Sequence, residues 1–343
     1  MKHNRIDGKV VLVSGGVGSI GSVLVEKLIQ NHSPKQVRVM DNNEASLFEA
    51  TKKYANKKNL RFLLGDVRDK DRVEWALRGV DTVFHVAALK HVELNEYSPF
   101  ESVKTNVIGT QNMLEAALKN NVESFTNIST DKAANPTSTM GASKLLAERL
   151  TTGADYFKGK SKTVFANVRF GNVMNSSGSV MPIFLKQIRN DGPMTVTDKR
   201  MVRYFMSIPN AVSLIFKAAE TAMGGEVFIL KMPAMKILDL AEVMMEMWSD
   251  KKLKINETGK KPGEKLFEKI VTSTEAEQAL ELNEMYVIPV GINYPNAADD
   301  VVSKSHDYYK KMGGKPVPSE GVKPDKLLTK MEIKQLLKKV NLS

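Results

Sequence analysis

The chain has 343 residues, of which 42% are hydrophobic and 26% charged, and this composition is typical of a globular protein with one large or two modest domains. It has no cysteine, which excludes disulfides, thiolate metal sites and thiol catalysis and favours a cytoplasmic location. No apolar run approaches the roughly 18 residues of a membrane span. We also find no apolar signal segment before the first predicted strand. The formal net charge is +11, and residues 301–343 contribute +6 of it, because they hold ten lysines against four acids. We interpret this excess as a solvated lysine-rich surface. We expect no nucleic-acid partner, no membrane partner and no metal.

Short apolar runs alternate with amphipathic stretches through the first 170 residues. The runs, each predicted to be a strand, are residues 10–13, 37–40, 60–64, 82–86, 125–128 and 164–168. Residues 20–30 and 103–118 are two of the helical stretches between them. This alternation with continuously apolar strands predicts an α/β fold with a doubly wound parallel sheet.

A glycine-rich segment, Ser14-Gly15-Gly16-Val17-Gly18-Ser19-Ile20-Gly21, follows the first predicted strand and opens the first predicted helix. Glycines let the backbone turn sharply and approach a pyrophosphate, which the helix N-terminus then binds. Asp41 ends the second predicted strand, where a carboxylate accepts hydrogen bonds from a ribose 2′-hydroxyl and repels a 2′-phosphate. The pattern predicts a Rossmann sheet that binds NAD. The loop residues expected to contact it are Gly15, Gly18, Ser19, Ile20 and Gly21.

Two later strand ends complete the predicted cofactor site. Asp66 and Val67 follow the third strand, where the carboxylate would bond the adenine amino group; an ordinary turn residue is the alternative for Asp66. Ala87 and Ala88 follow the fourth strand, and their small side chains would let the backbone pass close to the cofactor.

The fifth predicted strand ends in Thr130, Asp131 and Lys132. A carboxylate and an amine side by side at a strand end can act as an acid and a base on one substrate, and a solvated turn pair is the alternative. Met140 and Lys144 follow at i, i+4 spacing and share a helix face, but a thioether can neither take nor give a proton.

From Gly171 onward the pattern is irregular and rich in glycine and proline. We predict an NAD-binding domain over residues 1–170, with residues 203–230 returning to it, and a smaller, discontinuous substrate-binding domain over residues 171–300. Residues 301–343 are predicted to be a basic C-terminal tail that ends in a helix with the capping box of Thr329 and Glu332. That helix is expected to dock on the body, and a basic membrane-surface helix is the alternative.

Several further segments resemble one family. They are residues 87–92, 104–110, 129–132, 169–173, 178–182, 195–198, 203–207 and 262–265. In this order they resemble the extended short-chain dehydrogenases/reductases that act on nucleotide sugars, and more narrowly the UDP-N-acetylglucosamine 4,6-dehydratase group of the polysaccharide-biosynthesis proteins. Longer members of that group carry N-terminal membrane segments, so the resemblance implies a soluble form here.

The resemblance implies a cycle of oxidation, elimination and reduction. Hydride leaves sugar C4 for NAD, the resulting 4-ketone acidifies the proton on C5, and the returning hydride goes to C6. Lys132 would remove the C5 proton, Asp131 would protonate the departing 6-hydroxyl, and Thr130 would bond the 4-oxygen. Most relatives carry a tyrosine base at the position of Met140, and Lys144 would still bind the nicotinamide ribose. We therefore expect Asp131, directly or through Thr130, to take the O4 proton.

The resemblance also implies a substrate site and a homodimer. The residues expected to contact the UDP-sugar are Lys90, Asn172, Arg203, Glu264 and Lys265. A structural loop around Pro262 is the alternative for the last two, and Lys261 stands where the family has arginine, which puts that contact in doubt. The aliphatic faces of residues 103–118 and 140–150 are expected to pair with those of a second copy.

Three other functions compete with a dehydratase that retains the configuration at C5. A 5-inverting dehydratase shares the same reacting residues but often has a Ser-Arg pair for NADP, where this chain has Asp41-Asn42. A 4-epimerase would need neither the Asp-Lys pair nor elimination at C6. A non-catalytic NAD-sensing protein would have no reason to keep Asp131 and Lys132.

Overall fold

The computed structural model describes residues 3–176, 178–289 and 299–340. Parts of the predicted second domain and of the tail, residues 177, 290–298 and 341–343, lie outside the described residues. The strands are β1 (Val10–Ser14), β2 (Gln36–Asp41), β3 (Leu60–Leu64), β4 (Thr82–His85), β5 (Ser124–Thr130), β6 (Val164–Phe170), β7 (Asn172–Val173), β8 (Met194–Val196), β9 (Val202–Met206), β10 (Glu226–Leu230), β11 (Ala234–Lys236), β12 (Ile255–Glu257), β13 (Leu280–Glu281), β14 (Met285–Ile288) and β15 (Lys315–Pro316).

Helices connect these strands. They are α1 (Gly21–Asn31), α2 (Glu44–Lys53), α3 (Lys70–Leu77), α4 (Val92–Tyr97), α5 (Pro99–Ser102), α6 (Gly109–Lys119), α7 (Thr139–Phe157), α8 (Val180–Arg189), α9 (Ile208–Thr221), α10 (Ile237–Trp248), α11 (Ser273–Ala276), α12 (Asp299–Lys311) and α13 (Lys330–Lys338). A π-helical turn at Val103–Ile108 joins α5 to α6, and a short 3-10 turn at Asp131–Ala133 follows β5.

The main sheet confirms the predicted α/β fold with a doubly wound sheet. Its strand order is β15-β13-β14-β10-β6-β5-β4-β1-β2-β3, and the strands from β10 to β3 are parallel. The all-parallel prediction needs a correction at one edge, where β14, β13 and β15 run antiparallel. A short connection joins β13 to β14, and a connection of that length can only reverse the chain.

Helices cover both faces of the sheet, because the parallel strands are apolar on both sides. One core contains residues of α1 and α9, and another contains residues of α3 and α6. Helix α7 packs on β5 and β6. The strand order reverses between β1 and β4, and a crevice for ligands opens at the carboxyl ends of the strands at such a point.

Two small sheets, β11-β9-β7 and β12-β8, form a separate cluster with α8, α10 and α13. Strand β7 follows β6 after a single residue, Gly171, so this cluster begins where a central strand of the main sheet ends. Within residues 203–230, β9 belongs to the small sheet, whereas β10 lies in the main sheet beside β6.

The last helix docks as expected. Thr329 and Glu332 form the capping box of α13, and Ile333 and Leu337 are buried in the same apolar cluster as α10. Lys334 also reaches Glu246 of α10 at 2.6 Å. The apolar face of α13 is thus used inside the protein, which argues against a membrane-surface helix. None of the helices in the described ranges is long and apolar enough to cross a membrane.

Candidate active site

A cavity of about 960 Å³ runs along the carboxyl ends of the central strands, from β3 to β6 and β7. Most of the residues that the sequence predicted for the site line it together: Gly15, Gly18, Ser19, Ile20, Asp41, Asp66, Val67, Ala87, Ala88, Lys90, Thr130, Lys132, Met140, Lys144 and Asn172. Gly21, Asp131, Arg203, Glu264 and Lys265 do not line it.

The glycine loop leaves room for a ligand by packing tightly against the strand ends. Gly15 has a φ of 66°, and a Cβ there would come within 2.7 Å of the backbone nitrogen of Ala87. A Cβ on Gly21 would overlap the carbonyl oxygen of Gly15, so Gly21 serves the loop itself although it lies outside the cavity wall. Helix α1 begins at Gly21 and directs its first backbone N–H groups toward the loop, as a pyrophosphate site requires.

Asp41 is held at the end of β2 by the loop that it faces. Its Oδ2 accepts the backbone N–H of Val17 at 3.2 Å, and its Oδ1 accepts that of Asn43 at 3.0 Å. Asn43 is the N-cap of α2, so Asp41 is not the cap of that helix. The arrangement leaves the carboxylate at the cavity wall, where it fits the ribose hydroxyls of a dinucleotide.

Asp66 is hydrogen-bonded by Arg68, a residue that the sequence analysis did not predict for the site. The guanidinium of Arg68 donates to both carboxylate oxygens, at 2.6 to 3.0 Å, and bonds Glu101 on its other side. Burial alone would raise the pKa of Asp66, but the hydrogen bonds from Arg68 and Asn42 outweigh it and lower that pKa. Arg68 and Glu101 also line the cavity. In the sequence, only the position of Arg68 two residues after Asp66 could have indicated this contact.

Lys144 is buried against the end of β5, where its ammonium donates to the backbone carbonyl of Ile128. Burial lowers the pKa of Lys144 to about 8, although the carboxylate of Glu148, one turn later, opposes that shift. Met140 lies one turn earlier on the same helix and is also buried at the cavity wall. The position thus presents an apolar surface beside the lysine and no proton acceptor.

The Asp131–Lys132 pair is a contact pair and not two solvated side chains. Oδ1 of Asp131 accepts the Thr130 hydroxyl at 2.9 Å and the Lys132 ammonium at 2.9 Å. Lys132 Nζ also donates to the side-chain oxygen of Asn172 at 2.9 Å. Asp131 is fully buried, so in this conformation the cavity reaches it only through Thr130 and Lys132.

A network behind the cavity was also missed. The side chain of Asn106 holds both the N–H and the carbonyl of Leu89, at 2.8 and 3.0 Å, and donates to Ser143 at 3.0 Å. Ser143 precedes Lys144, so Asn106 joins the loop after β4 to the helix that carries the lysine. The segment 104–110 carried the family resemblance, but nothing in the sequence gave Asn106 this contact.

Three residues predicted to bind substrate, Arg203, Glu264 and Lys265, make contacts within the protein. Arg203 donates to the carbonyls of Val202 and Leu266, and its Nη2 donates to Oε1 of Glu264 at 3.4 Å. Lys265 donates to the carbonyls of Ala134 and Asn135. These contacts hold the segment around Lys265 against the turn that follows Asp131.

Comparison with known proteins identifies the family. Residues 11–290 match the family model described as polysaccharide biosynthesis protein. An uncharacterized membrane protein of Methanocaldococcus jannaschii is 47% identical over 98% of each chain. A UDP-N-acetylglucosamine 4,6-dehydratase (inverting) of Campylobacter jejuni is 37% identical over 86% of each chain. A UDP-glucose 4-epimerase of Rickettsia canadensis is 37% identical over 82% of this chain and 83% of its own.

Solved structures agree with this assignment. Pen from Bacillus thuringiensis is 42% identical, covers 98% of this chain and 99% of its own, and superposes with a TM-score of 0.89. The dTDP-glucose 4,6-dehydratase DesIV from Streptomyces venezuelae, solved with NAD and TYD bound, is 21% identical over 88% of this chain and 97% of its own, with a TM-score of 0.69. At that identity the second likeness shows the fold alone.

Proposed function

Because the chain belongs to the polysaccharide biosynthesis protein family of extended short-chain dehydrogenases/reductases, we propose that it is a nucleotide-sugar 4,6-dehydratase that binds NAD and converts UDP-N-acetylglucosamine to a UDP-4-keto-6-deoxy sugar. One observation carries the proposal: Asp131 contacts both Thr130 and Lys132, and these two residues line the same cavity as Lys144. This arrangement offers an acid and a base to one ligand.

The cavity wall supports NAD as the cofactor. Gly15 and Gly18 line the part of the cavity next to α1, Asp41 faces the ribose position, and Lys144 lies at the end where the reacting groups meet. When bound, NAD would accept a hydride from C4 of the sugar and return it to C6. The protein's own residues would then have to move two protons, one from O4 to the departing 6-hydroxyl and one from C5 and back to it.

We assign the O4 and O6 protons to Asp131, acting through Thr130. The Thr130 hydroxyl faces the cavity and donates to Asp131, so it can take the O4 proton as it passes its own proton on. Asp131 then holds one proton, which returns by the same route to the departing 6-hydroxyl and leaves as part of water. Met140 cannot take this proton, so the route does not depend on the tyrosine that most relatives carry there.

We assign the C5 proton to Lys132. The neutral amine would take it once C4 is a ketone, which allows the 6-hydroxyl to leave from the adjacent carbon. The resulting ammonium gives the proton back to C5 after the hydride reaches C6. Because the same group removes and returns the proton from one side of the sugar, the proposal includes retention of the configuration at C5.

Incubation with UDP-N-acetylglucosamine in D2O, followed by NMR of the product, tests this proposal. We expect a 4-keto-6-deoxy product with deuterium at C5 and the original C5 configuration. An inverted C5 would keep the dehydratase but make it inverting, as the name of the Campylobacter relative suggests. UDP-N-acetylgalactosamine as the product would identify a 4-epimerase, the activity named for the Rickettsia relative, and would contradict the roles of Asp131 and Lys132.

A further inference from the structure

Lys132 can act as a base only as a neutral amine whose lone pair points at the substrate. The side chain is 21% exposed and lines the cavity, and its Nζ makes two described contacts, one to Asp131 and one to Asn172, each at 2.9 Å. A neutral amine has two N–H donors and one lone pair in a tetrahedral arrangement. If each of the two N–H groups of the amine donates to one of these acceptors, the lone pair takes the remaining direction.

The two acceptors lie on known sides of the amine. Asp131 is fully buried, so its contact points into the protein, whereas Asn172 lies in the cavity wall. The side-chain oxygen of Asn172 accepts the hydrogen bond from Nζ in the structure, and this is the orientation that an ammonium requires because it can only donate. With these two directions used, the free direction of Nζ faces the cavity.

The backbone holds Asn172 in this position from both sides. Phe170 of β6 is paired with Thr130 of β5. Asn172 and Lys132 each lie two residues beyond this pair, so the two segments leave adjacent strand ends at the same level. On its other side Asn172 pairs with Phe205 of β9. Gly171 allows the tight connection, because a Cβ there would come within 2.9 Å of the Cβ of Tyr204.

We propose that Asn172 is a positioning residue that orients the lone pair of Lys132 toward C5 of the sugar. This role rests on the proposed dehydratase function and differs from a grip on the nucleotide. The amide nitrogen of Asn172 makes no hydrogen bond within the described part of the chain, so it remains available to a ligand while the oxygen holds Lys132.

Two variants test the role. Asn172→Asp places a second carboxylate at the amine, which holds the ammonium form and removes the lone pair. Asn172→Ala removes the acceptor and leaves the amine unoriented. Both are mixed with saturating UDP-N-acetylglucosamine in D2O; NADH formation is followed by absorbance and deuterium at C5 by NMR. Asn210→Asp, at an exposed position on α9, is the control for the change in charge.

We expect NADH formation within about twofold of the wild type and deuterium incorporation at least about tenfold slower in both Asn172 variants. The control should match the wild type in both measurements. Wild-type rates of incorporation in both variants would overturn the inference, and so would an equal loss of both steps, because a structural or nucleotide-binding residue gives that result. If the wild type itself neither forms the 4-keto-6-deoxy product nor exchanges C5, the proposed function fails along with the inference.

Discussion

At the scale of single residues, Asp131 is proposed to carry the O4 proton and yet has no exposed surface. One carboxylate oxygen receives both Thr130 and Lys132, while the other is buried without a hydrogen-bond partner among the described residues. A charged carboxylate in such a place is costly when it is left unpaired, so the contact with Lys132 stabilises it.

Asp131→Asn is therefore the first substitution to make. The amide has the same shape but cannot accept the O4 proton, so we expect turnover to fall by about 100-fold or more and no NADH to accumulate. Single-turnover absorbance with UDP-N-acetylglucosamine measures this. Asp71→Asn, on the exposed first turn of α3, is the control. NADH formation at the wild-type rate in Asp131→Asn would show that another group takes the O4 proton.

At the scale of secondary-structure elements, Arg169 joins the central strand β6 to α7 and α11. Its side chain is buried, and its guanidinium donates to Glu148 of α7 at 2.7 and 3.1 Å, to Glu275 of α11 at 2.8 and 3.0 Å, and to the carbonyl of Ile270 at 3.0 Å. These contacts use all five of its N–H groups. The network thus connects β6, which ends two residues before Asn172, to α7, the helix that carries Lys144.

Glu275 and Glu332 form a matched pair for testing this network. Each is the N3 residue of a capping box, but only Glu275 also contacts a buried arginine. We expect Glu275→Ala to lower the free energy of unfolding by about 3 kcal/mol and Glu332→Ala by about 1 kcal/mol. Urea unfolding measures both. Equal losses would mean that the contact with Arg169 contributes nothing beyond the cap.

At the scale of the whole molecule, one surface carries exposed apolar side chains close together in the chain. Tyr97 is 90% exposed and Phe100 80% exposed, and Leu94, Val103 and Ile108 are also exposed. A cluster of this kind on a folded protein indicates an interface. The predicted dimer faces were residues 103–118 and 140–150, but most apolar residues of α6 are buried inside the chain. The exposed side chains lie on α4, α5 and the π-helical turn, and that turn falls within the first predicted face.

Phe100→Asp should prevent dimer formation, because it places a charge in the centre of the apolar surface. Light scattering is expected to give a homodimer for the wild type and a monomer for this variant, with unchanged circular dichroism. Phe48→Asp, at an exposed phenylalanine on α2, should remain dimeric. A monomeric wild type would contradict the dimer, and a dimeric Phe100→Asp would place the interface elsewhere.

Local sequence patterns were enough to predict the parallel part of the sheet, the glycine loop and the position of Asp41. These features depend on local properties: apolar periodicity marks a strand, glycine permits a close turn, and a parallel strand brings its end to a common edge. Thr130, Asp131 and Lys132 belong with them, since neighbours in the chain stay neighbours in the fold. The family motifs likewise indicate a resemblance to nucleotide-sugar dehydratases without any tertiary contact.

Which of these side chains contact one another depends on how distant segments of the chain pack together. The contact of Lys132 with Asn172 spans forty residues and depends on the register of β5 against β6. The burial of Asp131, the internal contacts of Arg203 and Lys265, and the antiparallel edge depend likewise on segments distant in the chain. Local patterns carry no information on such pairings, because the free energy that selects them comes from packing between elements and not from the residues of either element alone.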